Sequence, residues 1–138
     1  MIDHFILYGE PRGKERPRVA NGHAYTPQKT RKYEWDLHTA WLESDRTLYT
    51  GNVQMKVIAW FGIPKSAKKA DREKMLAGEI RPTRRPDVDN ILKIVGDSLQ
   101  GFAYSDDKQI NAMMIEKRYS DEPRVEVWLT NEGLSAIE

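Results

Sequence analysis

Alternation of apolar and polar positions is clearest from Val53 to Phe61, where Val53, Met55, Val57, Ala59 and Phe61 face one way. Gln54, Lys56, Ile58 and Trp60 face the other, so the second half of the stretch is apolar on both sides. A period of two marks a strand with a buried face; Thr50-Gly51-Asn52 precedes it, and Gly62 and Pro64 end it. The same period returns in residues 124–129, with Val125, Val127 and Leu129 against Arg124, Glu126 and Trp128. Residues 2–8 (Ile-Asp-His-Phe-Ile-Leu-Tyr) predict a further buried strand, stopped by Gly9 and Pro11, and residues 110–119 another. The turn residues Asp121-Glu122-Pro123 predict that the last two strands pair as an antiparallel hairpin. Asn21-Gly22, between Arg18-Val19-Ala20 and His23-Ala24-Tyr25, predicts a small ribbon, because a two-residue hairpin turn demands positive φ at both central positions.

Helical spacing appears in three places. Within residues 28–43, Tyr33, Leu37 and Trp41 recur every four positions with Ala40 beside them, after the cap and first-turn pair Thr26-Pro27. In residues 89–100, Ile91, Leu92, Val95 and Leu99, extended by Phe102, mark one face that stops at Gly101. Residues 65–79 predict a short helix with few apolar anchors. The tail after Thr130 is polar, which predicts a loosely held end. The order β, hairpin, α, β, α, α, β, β predicts a small single α+β domain, one mixed β-sheet packed against two or three helices.

A length of 138 residues fits one domain with a real core. Charged residues make up 31% of the chain and the mean hydropathy is −0.71, which favours a large solvated surface. No apolar run approaches the roughly 18 residues that cross a bilayer, and Met1-Ile2-Asp3-His4 does not open a signal peptide. The expectation is a cytoplasmic protein without a membrane partner. With no cysteine, disulfides, thiolate metal sites and cysteine nucleophiles are excluded.

Charge changes the picture more. Residues 1–86 hold 17 Lys and Arg against 10 Asp and Glu, a net +7, whereas residues 87–138 hold 5 against 11, a net −6. Pro11-Arg12-Gly13-Lys14-Glu15-Arg16-Pro17-Arg18 predicts an extended loop, since two prolines and a glycine oppose a helix. Alternate residues of an extended chain share a face, so Arg12, Lys14, Arg16 and Arg18 form a basic comb suited to a phosphate backbone. Lys29, Arg31 and Lys32 sit in the first turn of a helix, where cations oppose the dipole; a nearby phosphate would account for them. Lys65, Lys68, Lys69, Arg72 and Lys74 form a second basic element.

The chemistry concentrates in Arg84-Arg85-Pro86-Asp87-Val88-Asp89-Asn90-Ile91-Leu92-Lys93 and in Asp106-Asp107. Carboxylates so close together repel unless a cation or proton neutralises them. Asp87 and Asp89 straddle a helix start, where an N-cap and a favourable dipole give a purely structural account. Against it stand Asn90 as a further oxygen donor, the stripe Asp89, Lys93, Asp97 at four-residue spacing, and the return of Asp106-Asp107 after a short loop. Oxygen ligands favour Mg²⁺ or Mn²⁺ over zinc. His4, His23 and His38 show no motif spacing.

Asp87-x-Asp89-Asn90-x-x-Lys93, then Asp97, then Asp106-Asp107 before a strand, resembles the RusA family of Holliday-junction resolvases. The specific match spans residues 84–110. The resemblance implies a magnesium-dependent endodeoxyribonuclease, of a kind common in prophages, that works as a homodimer on four-way DNA junctions in recombination and repair. It implies Asp87, Asp89 and Asp107 as catalytic metal-binding carboxylates, Lys93 as the essential lysine and Asp97 as an additional helix aspartate. The loop before Asp106 is about one residue shorter than the family pattern, which leaves Asp106 and Asp107 open to exchange as ligands. Arg12, Lys14, Arg16, Arg18, Lys29, Arg31, Lys32, Arg84 and Arg85 are the expected DNA-contacting residues. The rivals are a non-catalytic nucleic-acid-binding module, whose acidic cluster merely caps a helix, and another metal-dependent nuclease.

Overall fold

The computed structural model describes residues 1–44 and 47–137. Its centre is a four-stranded mixed sheet in the order β1-β6-β4-β5, built from β1 (Ile2–Tyr8), β4 (Val53–Gly62), β5 (Ile110–Ser120) and β6 (Arg124–Thr130). The short ribbon of β2 (Arg18–Ala20) and β3 (His23–Tyr25) stands apart, with its turn at Asn21 (φ 52°) and Gly22 (φ 77°) as the Asn-Gly pair predicts. The helices are α1 (Gln28–Ser44), α2 (Lys69–Leu76) and α3 (Val88–Leu99). An α+β domain with one mixed sheet is therefore observed.

One face of the sheet builds the core. Val53, Met55, Val57, Ala59 and Phe61 of β4 and Val125, Val127 and Leu129 of β6 are all fully buried. They pack with Tyr33, Leu37 and Trp41 of α1, and the Trp41 ring meets Phe5 edge-on at 5.9 Å. From α3 come Ile91, Ile94, Val95 and Leu99, each fully buried. Leu92 is half-buried and packs against this core, whereas Phe102 is exposed beyond the helix end and Ile94 takes a core place that the stripe did not include. A helix turns about 100° per residue, so Leu92 lies beside Leu99 on the buried face and Ile94 extends that face on its other side.

The expected β5–β6 hairpin does not form. β6 lies between β1 and β4, antiparallel to both, while β5 pairs in parallel with β4 on the outer edge. The turn at Asp121-Glu122-Pro123 thus steps across the end of β4. Skipping one strand means spanning roughly 10 Å, twice the inter-strand spacing, which a few extended residues cover. β6 and β4 hold the two central places and β1 and β5 the edges, so β1, expected as a buried strand, buries only Asp3 and Phe5.

The tail is also better held than its polarity predicts. A 3₁₀ turn at Leu134–Ala136 follows β6, Ile137 is 9% exposed, and the Gly133 N–H donates to Gln54 Oε1 at 2.8 Å. On the sheet face away from α1 and α3, His4 stacks on Trp128 at 4.5 Å and Arg124 lies over Trp60 at 4.6 Å. No helix among the described residues is long and apolar enough to cross a membrane.

Candidate functional site

Helix α3 starts at the acidic motif, and its backbone carries Asp87 into the N-cap position (φ −74°, ψ 155°). The Asp87 carbonyl accepts from the Ile91 N–H at 3.1 Å, yet its carboxylate makes no capping hydrogen bond. That carboxylate is therefore not consumed by the structural role an N-cap aspartate ordinarily plays. The preceding Arg85–Pro86 peptide bond is cis.

The basic loop is clipped onto this helix start. The Lys14 N–H donates to Asn90 O at 2.8 Å, and a Cβ on Gly13 would lie 2.9 Å from both Asn90 Cβ and Pro86 Cβ. Only glycine permits that approach. Between loop and helix opens a cleft of about 680 Å³, whose lining includes Arg12, Lys14, Arg16, Arg85, Asp87 and Asn90. Here a polyanion would meet four cations beside the carboxylates of Asp87 and Glu15.

A second cavity of about 340 Å³ lies on the other flank of α3, lined by Asp89, Leu92, Lys93, Gly96, Asp97, Asp107, Ile110 and Met113. One helical turn separates Asp89 from Lys93 and another Lys93 from Asp97, and Lys93 Nζ pairs with Asp97 at 3.2 Å. Asp97 also meets Lys14 at 3.4 Å, and Lys14 donates to Glu34 at 2.8 Å. A chain of alternating charges, Glu34–Lys14–Asp97–Lys93, thus ties α1 and the basic loop to α3. Burial disfavours the Lys14 ammonium, but Glu34 and Asp97 outweigh it and hold its pKa above the ordinary 10.5. Lys14 is turned inward as a structural cation, unlike the exposed Arg12 and Arg16.

The two adjacent aspartates take different work. Asp106 caps the 3₁₀ turn Asp107–Gln109: its carboxylate accepts from the Lys108 N–H at 2.9 Å, and Gln109 reciprocates by accepting from the Asp106 N–H. The Lys108 hydrogen bond, aided by Asp107 and the Lys108 charge, lowers the Asp106 pKa from its ordinary 3.8. Gln109 also donates to Tyr49 O at 2.8 Å and Gly51 O at 2.9 Å, pinning the turn beside β4. Asp107 is left to line the cavity with Asp89. Behind them Tyr104 donates to Gly96 O at 2.7 Å; burial, then the charges of Asp107 and Asp97, raise its pKa and keep the phenol neutral.

The other expected DNA-contacting residues are spread more widely. Arg84 lies over Phe61 at 4.9 Å and pairs with Glu10 at 3.5 Å, while Arg18 faces Glu15 at 3.5 Å. Lys32 pairs with Asp36 at 2.9 Å along α1, and Lys29 and Arg31 are exposed on the same helix or its rim. Three residues that build the site, Gly13, Glu34 and Gln109, do not stand out in the sequence. Of these, Gln109 has a legible signal, because Asp106-x-x-Gln109 has capping-box spacing.

The donor set is oxygen-only, as a hard cation requires. Among the described residues, however, no three carboxylates or histidines stand together closely enough to hold a metal ion. Asp89 and Asp107 share one cavity, and Asp87 lines the other. Two carboxylates fit Mg²⁺, which commonly keeps several waters and takes its remaining ligands from substrate phosphates.

A cationic cleft and a carboxylate–lysine cavity at one helix start are suited to a polyanion. The family model described as endodeoxyribonuclease RusA matches residues 8–130, and the chain belongs to that family, whose members act on branched DNA junctions. The chain is also 39% identical over 132 residues to the uncharacterized protein YqaN of Bacillus subtilis (strain 168), covering 91% of this chain and 93% of that protein.

Proposed function

We propose that this protein is a magnesium-dependent, structure-selective endonuclease that resolves four-way DNA junctions by paired phosphodiester hydrolysis in recombination and repair. The observation that carries the reading is the shared cavity of Asp89, Lys93, Asp97 and Asp107 beside the cleft of Arg12, Arg16, Arg85 and Asp87. Asp89 and Asp107 would hold Mg²⁺ (Mn²⁺ as a substitute), with Asp87 at the edge of the neighbouring cleft. Bound there, the ion would polarise a phosphoryl oxygen and lower the pKa of the attacking water.

The protein's own groups do the rest. Arg12, Arg16 and Arg85 bind backbone phosphates and orient the strand across the helix start. Lys93 is a compact cation that neutralises charge developing on the leaving oxygen. Asp97 positions Lys93, and Lys14 prevents Asp97 from carrying an uncompensated charge. Asp106 acts through the turn it caps, which presents Asp107. A junction with two-fold symmetry needs two cuts, and a two-fold homodimer supplies them. The sheet face bearing Ile58, Trp60 and Trp128 is the candidate interface, and sedimentation of the protein tests for the dimer. Chromosomal or phage DNA would place the enzyme in the cytoplasm.

The non-catalytic reading draws on the absence, among the described residues, of a three-carboxylate group able to hold a cation by itself. Cleavage separates the two. A synthetic four-way junction and a matching linear duplex are incubated with protein, with and without Mg²⁺. Symmetric nicks in the junction alone, dependent on Mg²⁺ and reduced more than about 100-fold in Asp89→Asn with junction binding retained, are the expected result. Equal cutting of the duplex refutes junction selectivity, and undiminished cutting by Asp89→Asn refutes the site. No cutting in any condition leaves the binding module.

A further inference from the structure

Three aromatic rings that the proposed chemistry does not use stand together at the surface beside the site. Trp35 of α1 is 64% exposed, although Tyr33 and Trp41 of the same helix are buried. Its ring meets His38 edge-on at 4.4 Å (81°), and His38 stacks parallel on Phe102 at 4.5 Å (1°). Phe102 projects from the turn after α3 and is 42% exposed. Exposed aromatic surface held in a fixed stack is costly to leave in water and marks a docking place.

The surroundings indicate the occupant. The rings border a cavity of about 210 Å³ whose lining also includes Arg31, Glu34 and Asp97. Asp97 lines both this cavity and the one holding Asp89, Lys93 and Asp107, so the two adjoin. Glu34 and Asp97 are both paired with Lys14, at 2.8 and 3.4 Å, so they do not repel an incoming phosphate as free carboxylates would. Arg31 stands at the rim as the cation of this lining. A flat apolar surface with a cation at its edge matches a nucleobase and its phosphate.

We propose that Trp35, His38 and Phe102 form a stacking platform that receives an unpaired nucleobase where branched DNA opens, with Arg31 on the adjoining phosphate. The proposal rests on the DNA-nuclease reading and names which part of the substrate is recognised beside the cavity: single-stranded character at the branch, not duplex. A base held there fixes the distance from the opened branch point to the phosphodiester at Asp89 and Lys93.

The test measures binding without divalent cations, by fluorescence anisotropy, of a short single-stranded oligonucleotide, a four-way junction and a linear duplex. Trp35→Ala is expected to weaken single-strand and junction binding about tenfold, the effect of losing one base stack, while duplex binding stays within about twofold. Trp35→Phe should restore most of the loss, and 2-aminopurine at the branch point should be quenched by the wild type but not by Trp35→Ala. Phe102→Ala should weaken single-strand binding in the same sense. Wild-type single-strand affinity in Trp35→Ala overturns the platform, as does impaired self-association with DNA binding unchanged. The outcomes remain separable from the proposed activity. Selective Trp35-dependent binding without any cutting keeps the platform and removes the resolvase. Junction cutting with unaltered Trp35→Ala binding does the reverse.

Discussion

Gly13→Ala is the smallest change that should separate the basic loop from the helix start. The added Cβ would lie 2.9 Å from Asn90 Cβ and from Pro86 Cβ, and 3.4 Å from the Asn90 carbonyl carbon. Carbon atoms rest at about 3.5–4.0 Å, so the overlap with each Cβ is roughly 0.6–1.1 Å. Neither partner is the free end of a flexible side chain, so it is the loop that must lift. Insertion strain in a packed site costs about 1–3 kcal/mol, whereas losing the bond from Lys14 N–H to Asn90 O costs about 0.5–1.5 kcal/mol. The protein takes the cheaper route and releases the clip, losing about 1 kcal/mol, or roughly 3–5 °C in Tm at this size. Function should suffer more than stability, because Arg12 and Arg16 leave the cleft beside Asp87. Thermal denaturation followed by circular dichroism reads the first effect. Junction affinity across a salt series reads the second, with a slope shallower by about 0.9 for each phosphate that is no longer neutralised. Gly51→Ala is the control, since its Cβ meets nothing within 4 Å. An unchanged Tm and salt slope in Gly13→Ala would refute the clip.

Two further outcomes test the scaffold. Leu99 is fully buried in α3, so Leu99→Ala should cost about 2–5 kcal/mol by denaturant unfolding, whereas Leu76→Ala, at a site 50% exposed, should stay within about 0.5 kcal/mol. The lowered Asp106 pKa means that its cap stabilises the turn above the ordinary aspartate value and is lost as pH falls through the lowered one. A carboxyl titration followed by NMR should therefore place Asp106 below 3.8, and a midpoint at or above 3.8 contradicts the cap.

Sequence alone determined every element that obeys local rules. The period of two in β4 and β6, the four-residue spacing of Tyr33, Leu37 and Trp41, the Asn21-Gly22 turn and the helix start at Asp87 depend on residues a few positions apart. The motif through Lys93 and Asp97 was legible for the same reason, because one helix sets its own spacing. Tertiary structure decided what depends on distant partners. It placed β6 between β1 and β4, turned Lys14 inward to Glu34 and Asp97, and brought Trp35 and His38 to Phe102. It also gave Asp106 and Asp107 different surroundings: the Asp106 carboxylate is bound to its own turn, and Asp107 lines the cavity with Asp89. Asp87 and Asp89, two positions apart, line different clefts because Asp87 is the extended N-cap while Asp89 is already in the first helical turn. Local propensity sets the conformation of a segment, and the burial and charge supplied by the rest of the chain set what that segment faces.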